Sequence, residues 1–254
     1  MKPLSILIRG KGIPVVLIHG FPLSSQIWQN QESLSTQYTL ITPELPGMGE
    51  TPYEEPFSIE SLADGLADAL KSNGFERAII LGHSMGGYIA LAFASKWPSM
   101  VAGLGLVASH PYADSSEAKS GRRQMIERIH KEKSFFVADV MTPKLFAPDT
   151  IKYNSKLVES VKVIMRQAKD QAVINCQEAM SARQDRSFNL VKIKVPVGLF
   201  YGKYDASINE QMQREIAAMN PNSSLTVLDN AGHMPMMEQP EAFNSALEHF
   251  LSQF

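Results

Sequence analysis

The chain has 254 residues, of which 44% are hydrophobic and 20% charged, and its net charge is −2. That length fits one large α/β domain, with room for an inserted subdomain. With a net charge near zero, the sequence shows no excess of basic residues of the kind found in proteins that bind nucleic acid or an anionic membrane. No apolar run approaches the ~20 residues of a membrane span. The single Cys176 excludes an internal disulfide and a cysteine-rich metal site.

Strand and helix patterns alternate through the first part of the chain. Apolar runs predict strands at residues 4–8, 14–18, 38–42, 77–81 and 101–108. Gly10-Lys11-Gly12 predicts a hairpin turn after the first strand, and the β-branched run of the second predicts burial on both faces. Ser24 or Ser25 is the predicted cap of a helix that runs to about Leu34. Further helices are predicted from Ser58 to Asn73-Gly74 and over residues 85–96.

The pattern changes after the strand at 101–108. Three or four amphipathic helices replace the strands from Tyr112 to about Leu190, with breaks at Met141-Thr142-Pro143 and Ala147-Pro148. Strands return at residues 195–201 and 225–228, and a helix is predicted at 240–251. This alternation predicts an α/β fold: a mostly parallel central sheet flanked by helices, with an inserted helical cap. The predicted core is 1–111 and 191–254, and the cap is 112–190.

The motif Gly82-His83-Ser84-Met85-Gly86 lies between a predicted buried strand and a predicted helix. A strand that turns at once into a helix crowds the backbone, so side chains two positions before or after the centre would collide with neighbouring elements. Glycines there hold Ser84 on a strained turn, with its hydroxyl exposed at the carboxyl edge of the sheet. This context favours Ser84 as a nucleophile over an incidental serine in a glycine-rich turn.

A serine nucleophile needs a base, and six histidines are available. His233 lies in the loop after the last predicted strand, at the same sheet edge as Ser84. His110 also follows a strand, but Pro111 and the start of the cap favour a structural role there. The other four lie on predicted helices, beside the serine or in the turn after the second strand: His130, His249, His83 and His19. We therefore expect His233 to be the base.

The base in turn needs an acid that fixes its tautomer. Asp205 follows the strand at 195–201 and lies between Ser84 and His233 in the sequence. A turn or helix-capping aspartate is the alternative interpretation. Asp114 competes for the same role from the loop after the strand at 101–108. We favour Asp205.

An acyl-transfer site also needs N–H donors for the developing oxyanion. One is the backbone N–H of Met85, directly after the serine, and the other is predicted to be Phe21 in His19-Gly20-Phe21-Pro22. Gly20 allows this loop to approach the turn that carries Ser84 closely. Without that turn, the same four residues would be interpreted as a tight turn.

Together these motifs resemble a known family. They are His19-Gly20-Phe21-Pro22, Leu45-Pro46-Gly47-Met48-Gly49, Gly82-His83-Ser84-Met85-Gly86-Gly87, Tyr201-Gly202-Lys203-Tyr204-Asp205 and Gly232-His233. Their order is that of α/β-hydrolase serine enzymes, and outside the cap the chain is most similar to small carboxylesterases and enol-lactonase-like members. The resemblance implies a Ser84, Asp205 and His233 triad that uses no cofactor and no metal. Glu44 stands where the family more often has aspartate, in a mainly structural loop.

We expect a cytoplasmic serine hydrolase that cleaves a small carboxylic ester or lactone through an acyl-enzyme. Met1 to Gly12 is too short an apolar stretch for a secretory signal and has no cleavage site. One alternative is a carbon–carbon bond hydrolase on the same triad. A second is a ligand-binding receptor that keeps the triad but signals through the cap. A receptor would show one slow event per molecule, whereas an esterase would show many turnovers. The expected partner is a small-molecule substrate, with neither nucleic acid nor membrane.

Arg122 and Arg123 follow Gly121 on the first predicted cap helix. A guanidinium binds a carboxylate in a bidentate way, so the pair is a candidate for receiving an anionic substrate. Adjacent helical residues point about 100° apart, so at most one of them can face the pocket squarely. The alternative is a solvated helix face, with Arg123 pairing Glu127 at i,i+4.

Overall fold

The computed structural model describes residues 2–49 and 51–254. Within them seven strands form one sheet: β1 (Ser5–Arg9), β2 (Ile13–Ile18), β3 (Tyr38–Glu44), β4 (Ala78–His83), β5 (Val101–Val107), β6 (Val197–Gly202) and β7 (Ser223–Leu228). Their order across the sheet is β1-β3-β2-β4-β5-β6-β7, and every pair is parallel except β1 with β3. The predicted α/β fold with a mostly parallel sheet is confirmed.

The predicted hairpin of the first two strands is wrong. β1 pairs antiparallel with β3, with Leu7 opposite Thr42, and not with β2. The side chains of residues 15–18 in β2 are fully buried, and β2 hydrogen-bonds to β3 on one edge and β4 on the other. A parallel strand covered on both faces belongs inside the sheet. β3 therefore takes the position beside β2, and β1 is left at the outer edge.

Within the described residues, a long 3₁₀ helix, two α-helices and a short 3₁₀ helix (Pro98–Met100) lie between β2 and β5. Residues Ser25–Thr36 form a 3₁₀ helix where a helix to about Leu34 was predicted. Their buried side chains include positions 28, 31 and 34, a spacing of three that matches three residues per turn. α1 (Ile59–Ser72) begins at a reciprocal cap, in which Ser58 and Ser61 each accept a hydrogen bond from the other's backbone N–H. α2 (Met85–Lys96) has the predicted bounds.

Six helices lie between β5 and β6, more than the three or four predicted: α3 (Ser116–Glu132), α4 (Val137–Leu145), α5 (Pro148–Tyr153), α6 (Ser155–Arg166), α7 (Asp170–Ala182) and α8 (Ser187–Lys192). α5 and α8 have six residues each, too few to show a helical period in the sequence. The predicted break at Pro143 is wrong because it lies inside α4, whereas the break before Pro148 is confirmed. The division into a core and a cap domain stays a prediction.

The remaining helices surround β7: α9 (Glu210–Ala218) before it, and α10 (Pro235–Glu238) and α11 (Pro240–Leu251) after it. Phe243, Leu247 and Phe250 of α11 are buried, as their spacing predicted. In the described ranges no helix has both the length and the apolar character needed to cross a bilayer. Since β2, β4, β6 and β7 run in the same direction, the loops after them meet at one edge of the sheet.

Candidate active site

Ser84 stands at the junction of β4 and α2. Its backbone has φ 51° and ψ −115°, a left-handed region that is costly for a residue with a side chain. The Ser84 N–H donates to Val107 O at 2.9 Å, and Ser109 Oγ donates to Ser84 O at 2.7 Å. A Cβ atom on Gly82 would lie 2.1 Å from Gly86 O, so the turn requires glycine at 82. The strained turn predicted from the glycines is therefore present.

The loop after β2 packs directly against this turn. A Cβ atom on Gly20 would lie 2.9 Å from His83 O and 3.1 Å from Ser84 Cβ, a distance that leaves no space for a side chain. The next residue, Phe21, lines the same cavity as Ser84. Within the described residues neither the Phe21 N–H nor the Met85 N–H has a hydrogen-bond acceptor. Two backbone donors are thus unpaired beside the serine.

His233 and Asp205 lie in the loops after β7 and β6, and both are buried. His233 Nδ1 is 2.8 Å from Asp205 Oδ2. The other carboxylate oxygen accepts hydrogen bonds from the N–H groups of Ser207 at 2.8 Å and Ile208 at 3.2 Å. Because an ionised carboxylate only accepts, Nδ1 carries the proton and Nε2 is left as the basic atom.

Burial and charge act in opposite directions on these two groups. Burial alone would raise the pKa of Asp205, but the neighbouring His233 and the two backbone donors hold it below its ordinary value. Burial alone would lower the pKa of His233, but the Asp205 carboxylate raises it above the ordinary value of 6.5. The pair is therefore built to accept a proton at His233 Nε2.

Ser84 and His233 line one cavity of about 340 Å³. Its walls come from the loops at the sheet edge and from α2, α3, α4 and α7: Phe21, Ser84, Tyr88, Ala108, His110, Asp114, Arg122, Met125, Val140, Met141, Lys144, Leu145, Gln177, Met180, Ser207, Ile208 and His233. Ser84 and His233 thus share one cavity, and Asp205 is hydrogen-bonded to the Nδ1 side of the His233 ring.

Asp114, the competing acid, has different partners. Its carboxylate is buried and forms ion pairs with Arg122 and Arg183. Burial alone would raise the pKa of Asp114, but the two guanidinium groups hold it below its ordinary value. In the described part of the chain Asp114 makes no hydrogen bond to a histidine.

The two arginines of the predicted anion site are placed differently. Arg122 lines the cavity, donates to Asp114 through Nε and Nη2, and donates to Gln177 Oε1 at 3.0 Å through Nη1. Arg123 is exposed and is not among the residues of the cavity wall. Within residues 2–49 and 51–254, Arg123 also forms no ion pair with Glu127. Of these two arginines, only Arg122 lies on the cavity wall.

Sequence reasoning missed a positioning role for His83. Its side chain reaches the loop that contains His233. Burial lowers the pKa of His83 to about 3, so its imidazole is neutral near pH 7. His83 Nε2 donates to the backbone carbonyl of His233 at 2.9 Å. The residue before the serine therefore holds the loop that contains His233.

Glu238 is a second positioning residue without a sequence signal. One carboxylate oxygen accepts from the N–H groups of Gly232 at 2.7 Å and Met234 at 3.3 Å, on either side of the histidine. The other accepts from the Ala147 N–H at 2.7 Å and from Thr150 Oγ1 at 2.8 Å. The carboxylate joins the histidine loop to the start of α5.

Glu238→Gln is expected to lower the free energy of unfolding by about 2 kcal/mol. The amide can turn its oxygen toward the histidine loop and donate to Thr150 Oγ1, but the buried Ala147 N–H then has no acceptor. Chemical denaturation measures the change. The exposed Glu241→Gln, at the start of α11, is the matched control and should change stability by less than about 0.5 kcal/mol. Equal stability of both variants would contradict the prediction.

Glu44 has a structural environment, as expected. Its carboxylate accepts from Ser25 N–H and Oγ, and one oxygen lies 2.9 Å from His19 Nε2. Burial alone would raise the pKa of Glu44, but His19 and Ser25 hold it below its ordinary value. The glutamate side chain, longer than the aspartate that the family more often has here, thus links the end of β3 to the loop after β2.

A mostly parallel sheet with a strained serine turn, a histidine loop and an aspartate loop at one edge defines the class of this chain. The sequence profile described as the Alpha/beta hydrolase family matches residues 15–246, and the chain belongs to that family. The predicted resemblance is confirmed.

The chain is similar to several named proteins. A thermophilic esterase from Thermogutta terrifontis, with malate bound, is 33% identical, with a TM-score of 0.95 over 98% of this chain and 93% of that one. The pimeloyl-[acyl-carrier protein] methyl ester esterase of Edwardsiella ictaluri is 26% identical over 93% of this chain and 92% of its own length. The enol-lactonase of Burkholderia xenovorans LB400 has a TM-score of 0.90 over 98% of this chain and 96% of its own at 22% identity, which shows a shared fold.

Proposed function

We propose that this protein hydrolyses a small carboxylic ester or lactone through an acyl-enzyme on Ser84. It is a hydrolase of the class that acts on ester bonds; the triad and the substrate are our proposal. The observation that carries it is the cavity shared by a serine on a strained turn and a histidine bonded to a buried carboxylate at 2.8 Å.

In the proposed mechanism His233 Nε2 takes the proton of the Ser84 hydroxyl as Oγ attacks the acyl carbon. The unpaired N–H groups of Phe21 and Met85 bind the oxygen that becomes negative. Protonated His233 then gives its proton to the leaving alkoxide, and the alcohol departs. Water, activated by the same imidazole, attacks the acyl-enzyme and releases the acid.

We also propose that residues 112–190 act as a cap over this site. Support comes from the cavity wall, to which α3, α4 and α7 contribute Met125, Met141, Leu145 and Met180. These apolar side chains face the space in front of Ser84, so they would exclude water around a bound acyl chain. The loops after β2, β4 and β7 supply the reacting groups below them.

The proposed substrate carries a carboxylate in addition to its ester. Two arginines, Arg122 and Arg183, share the one negative charge of Asp114, so this cluster, of which Arg122 and Asp114 line the cavity, keeps an excess of positive charge. Lys144 lies on the same cavity wall. A cationic wall in a partly apolar cavity favours an anionic group at a distance from the reacting ester.

The test compares two matched esters, monomethyl glutarate and methyl hexanoate, in which an ethyl group replaces the carboxylate. Release of methanol is followed at constant pH with purified protein. Many turnovers per molecule on either ester support the proposal, and faster turnover of monomethyl glutarate supports the anionic class. Single events, or none on these esters and on a panel of lactones and thioesters, would contradict the ester hydrolase.

The pH dependence should follow the base. His233 must be unprotonated to take the serine proton, and Asp205 raises the pKa of His233 above 6.5. kcat/KM for methyl hexanoate, which does not titrate, is expected to rise with pH to a plateau, with its midpoint above 6.5. A midpoint below that value, or a fall across the neutral range, would show that another group acts as the base.

A further inference from the structure

Tyr88 and His110 lie on the cavity wall beside Ser84 and have no role in the mechanism above. Their protonation is fixed by one backbone contact, since the Tyr112 N–H donates to His110 Nδ1 at 3.2 Å. A nitrogen that accepts a hydrogen bond carries no proton. Burial, with Arg183 nearby, lowers the pKa of His110 to about 4, so the imidazole is neutral at pH 7. The one ring proton of His110 therefore resides on Nε2.

That proton determines the direction of the next hydrogen bond. His110 Nε2 and Tyr88 Oη are 3.2 Å apart, and because Nε2 carries the hydrogen, the tyrosine oxygen accepts. The hydrogen of the Tyr88 hydroxyl must then point elsewhere. Across the described ranges no protein acceptor receives it. Tyr88 is partly exposed to the cavity, so its O–H is a donor available to a bound molecule.

The charges around Tyr88 favour a negative acceptor. Burial raises the pKa of Tyr88, and the Arg183 guanidinium, 4.1 Å from the centre of the tyrosine ring, offsets part of that effect. The Asp114 carboxylate is already engaged by Arg183 and Arg122. An anionic oxygen in front of Tyr88 would thus meet an O–H donor beside a cluster of two guanidinium groups and one carboxylate that carries one net positive charge.

We propose that the Tyr88 hydroxyl donates a hydrogen bond to a carboxylate of the substrate and makes Tyr88 a specificity-determining residue for half-esters of dicarboxylic acids. The His110 Nε2–H group donates to the tyrosine oxygen, so the hydrogen of the Tyr88 hydroxyl is directed to the ligand. This inference rests on the proposed function, whose substrate class it narrows. Its test needs one readout that depends on turnover and one that does not.

The first readout is kinetic and uses Tyr88→Phe, which removes the hydroxyl and keeps the ring. kcat/KM for monomethyl glutarate is expected to fall roughly 10- to 100-fold, the range for a hydrogen bond to a charged group. kcat/KM for methyl hexanoate should stay within about twofold. Tyr53→Phe is the matched control, because Tyr53 is half-buried and lies outside the cavity. Equal loss on both esters, or no loss on either, would overturn the proposal.

The second readout is equilibrium binding by titration calorimetry. Wild-type protein should bind glutaramate more tightly than hexanamide, in which an ethyl group replaces the carboxylate, and Tyr88→Phe should remove most of that difference. If neither ester is hydrolysed but this binding difference is found and then lost in the variant, the proposed function fails and the Tyr88 inference stands. Loss of activity with binding unchanged would overturn the Tyr88 inference alone. Nitrogen-15 shifts of His110 should show Nε2 protonated, and an Nδ1 proton would refute the hydrogen-bond direction.

Discussion

Replacement of Ser84 by alanine is expected to lower kcat for ester hydrolysis by about 10⁶-fold, the loss found when a triad serine is removed. The alanine keeps the turn and the unpaired Phe21 and Met85 donors, but no oxygen is left to attack the acyl carbon. Residual activity should equal that of a site that only binds and orients the ester with water. The measurement is single-turnover kinetics on methyl hexanoate, with the unfolding midpoint measured alongside.

A fluorophosphonate probe gives the same test without a substrate. Wild-type protein should gain one probe mass, and peptide mapping should place it at Ser84. Ser95→Ala, on the same helix but outside the cavity, is the control and should label fully. Labelling that survives Ser84→Ala would remove Ser84 as the nucleophile.

The sequence was sufficient where local chemistry decides the structure. Glycine is required at 82 because a Cβ atom there would lie 2.1 Å from Gly86 O, and at 86 because a Cβ atom there would lie 2.4 Å from Ile18 O. The Gly-x-Ser-x-Gly spacing indicated both. The buried run of β2 and the Ser58 cap were equally local. So was the alternation that predicts the parallel sheet, and with it the common edge for the loops of Asp205 and His233.

The parts that could not be predicted depend on contacts between distant segments. Glu238 accepts from Ala147, 91 residues away in the chain, and nothing near either residue signals the pair. His110 was assigned to structure because of its neighbours, whereas the role we propose for it depends on its contact with Tyr88, 22 residues away in the chain. Which of Arg122 and Arg123 faces the cavity depends on the rotation of α3, which a two-residue motif does not fix.

Asp205→Asn is expected to lower kcat by about 10⁴-fold with little change in structure. The orientation of the new amide is fixed by its neighbours, because the N–H groups of Ser207 and Ile208 require an oxygen at the Oδ1 position. The amide NH₂ must then face His233 Nδ1 and donate to it. The ring proton moves to Nε2, so the imidazole presents a donor to Ser84 where the reaction needs an acceptor.

Asp114→Asn separates this assignment from its rival. Asp114 touches Arg122 and Arg183 rather than His233, so the variant should keep kcat on methyl hexanoate within about tenfold of wild type. The two variants should also differ in their pH profiles. Asp205→Asn removes the carboxylate that raises the pKa of His233, so the midpoint of any residual activity should move to lower pH, while Asp114→Asn should leave it in place. A large loss in Asp114→Asn together with a small one in Asp205→Asn would assign the acid to the loop after β5 instead.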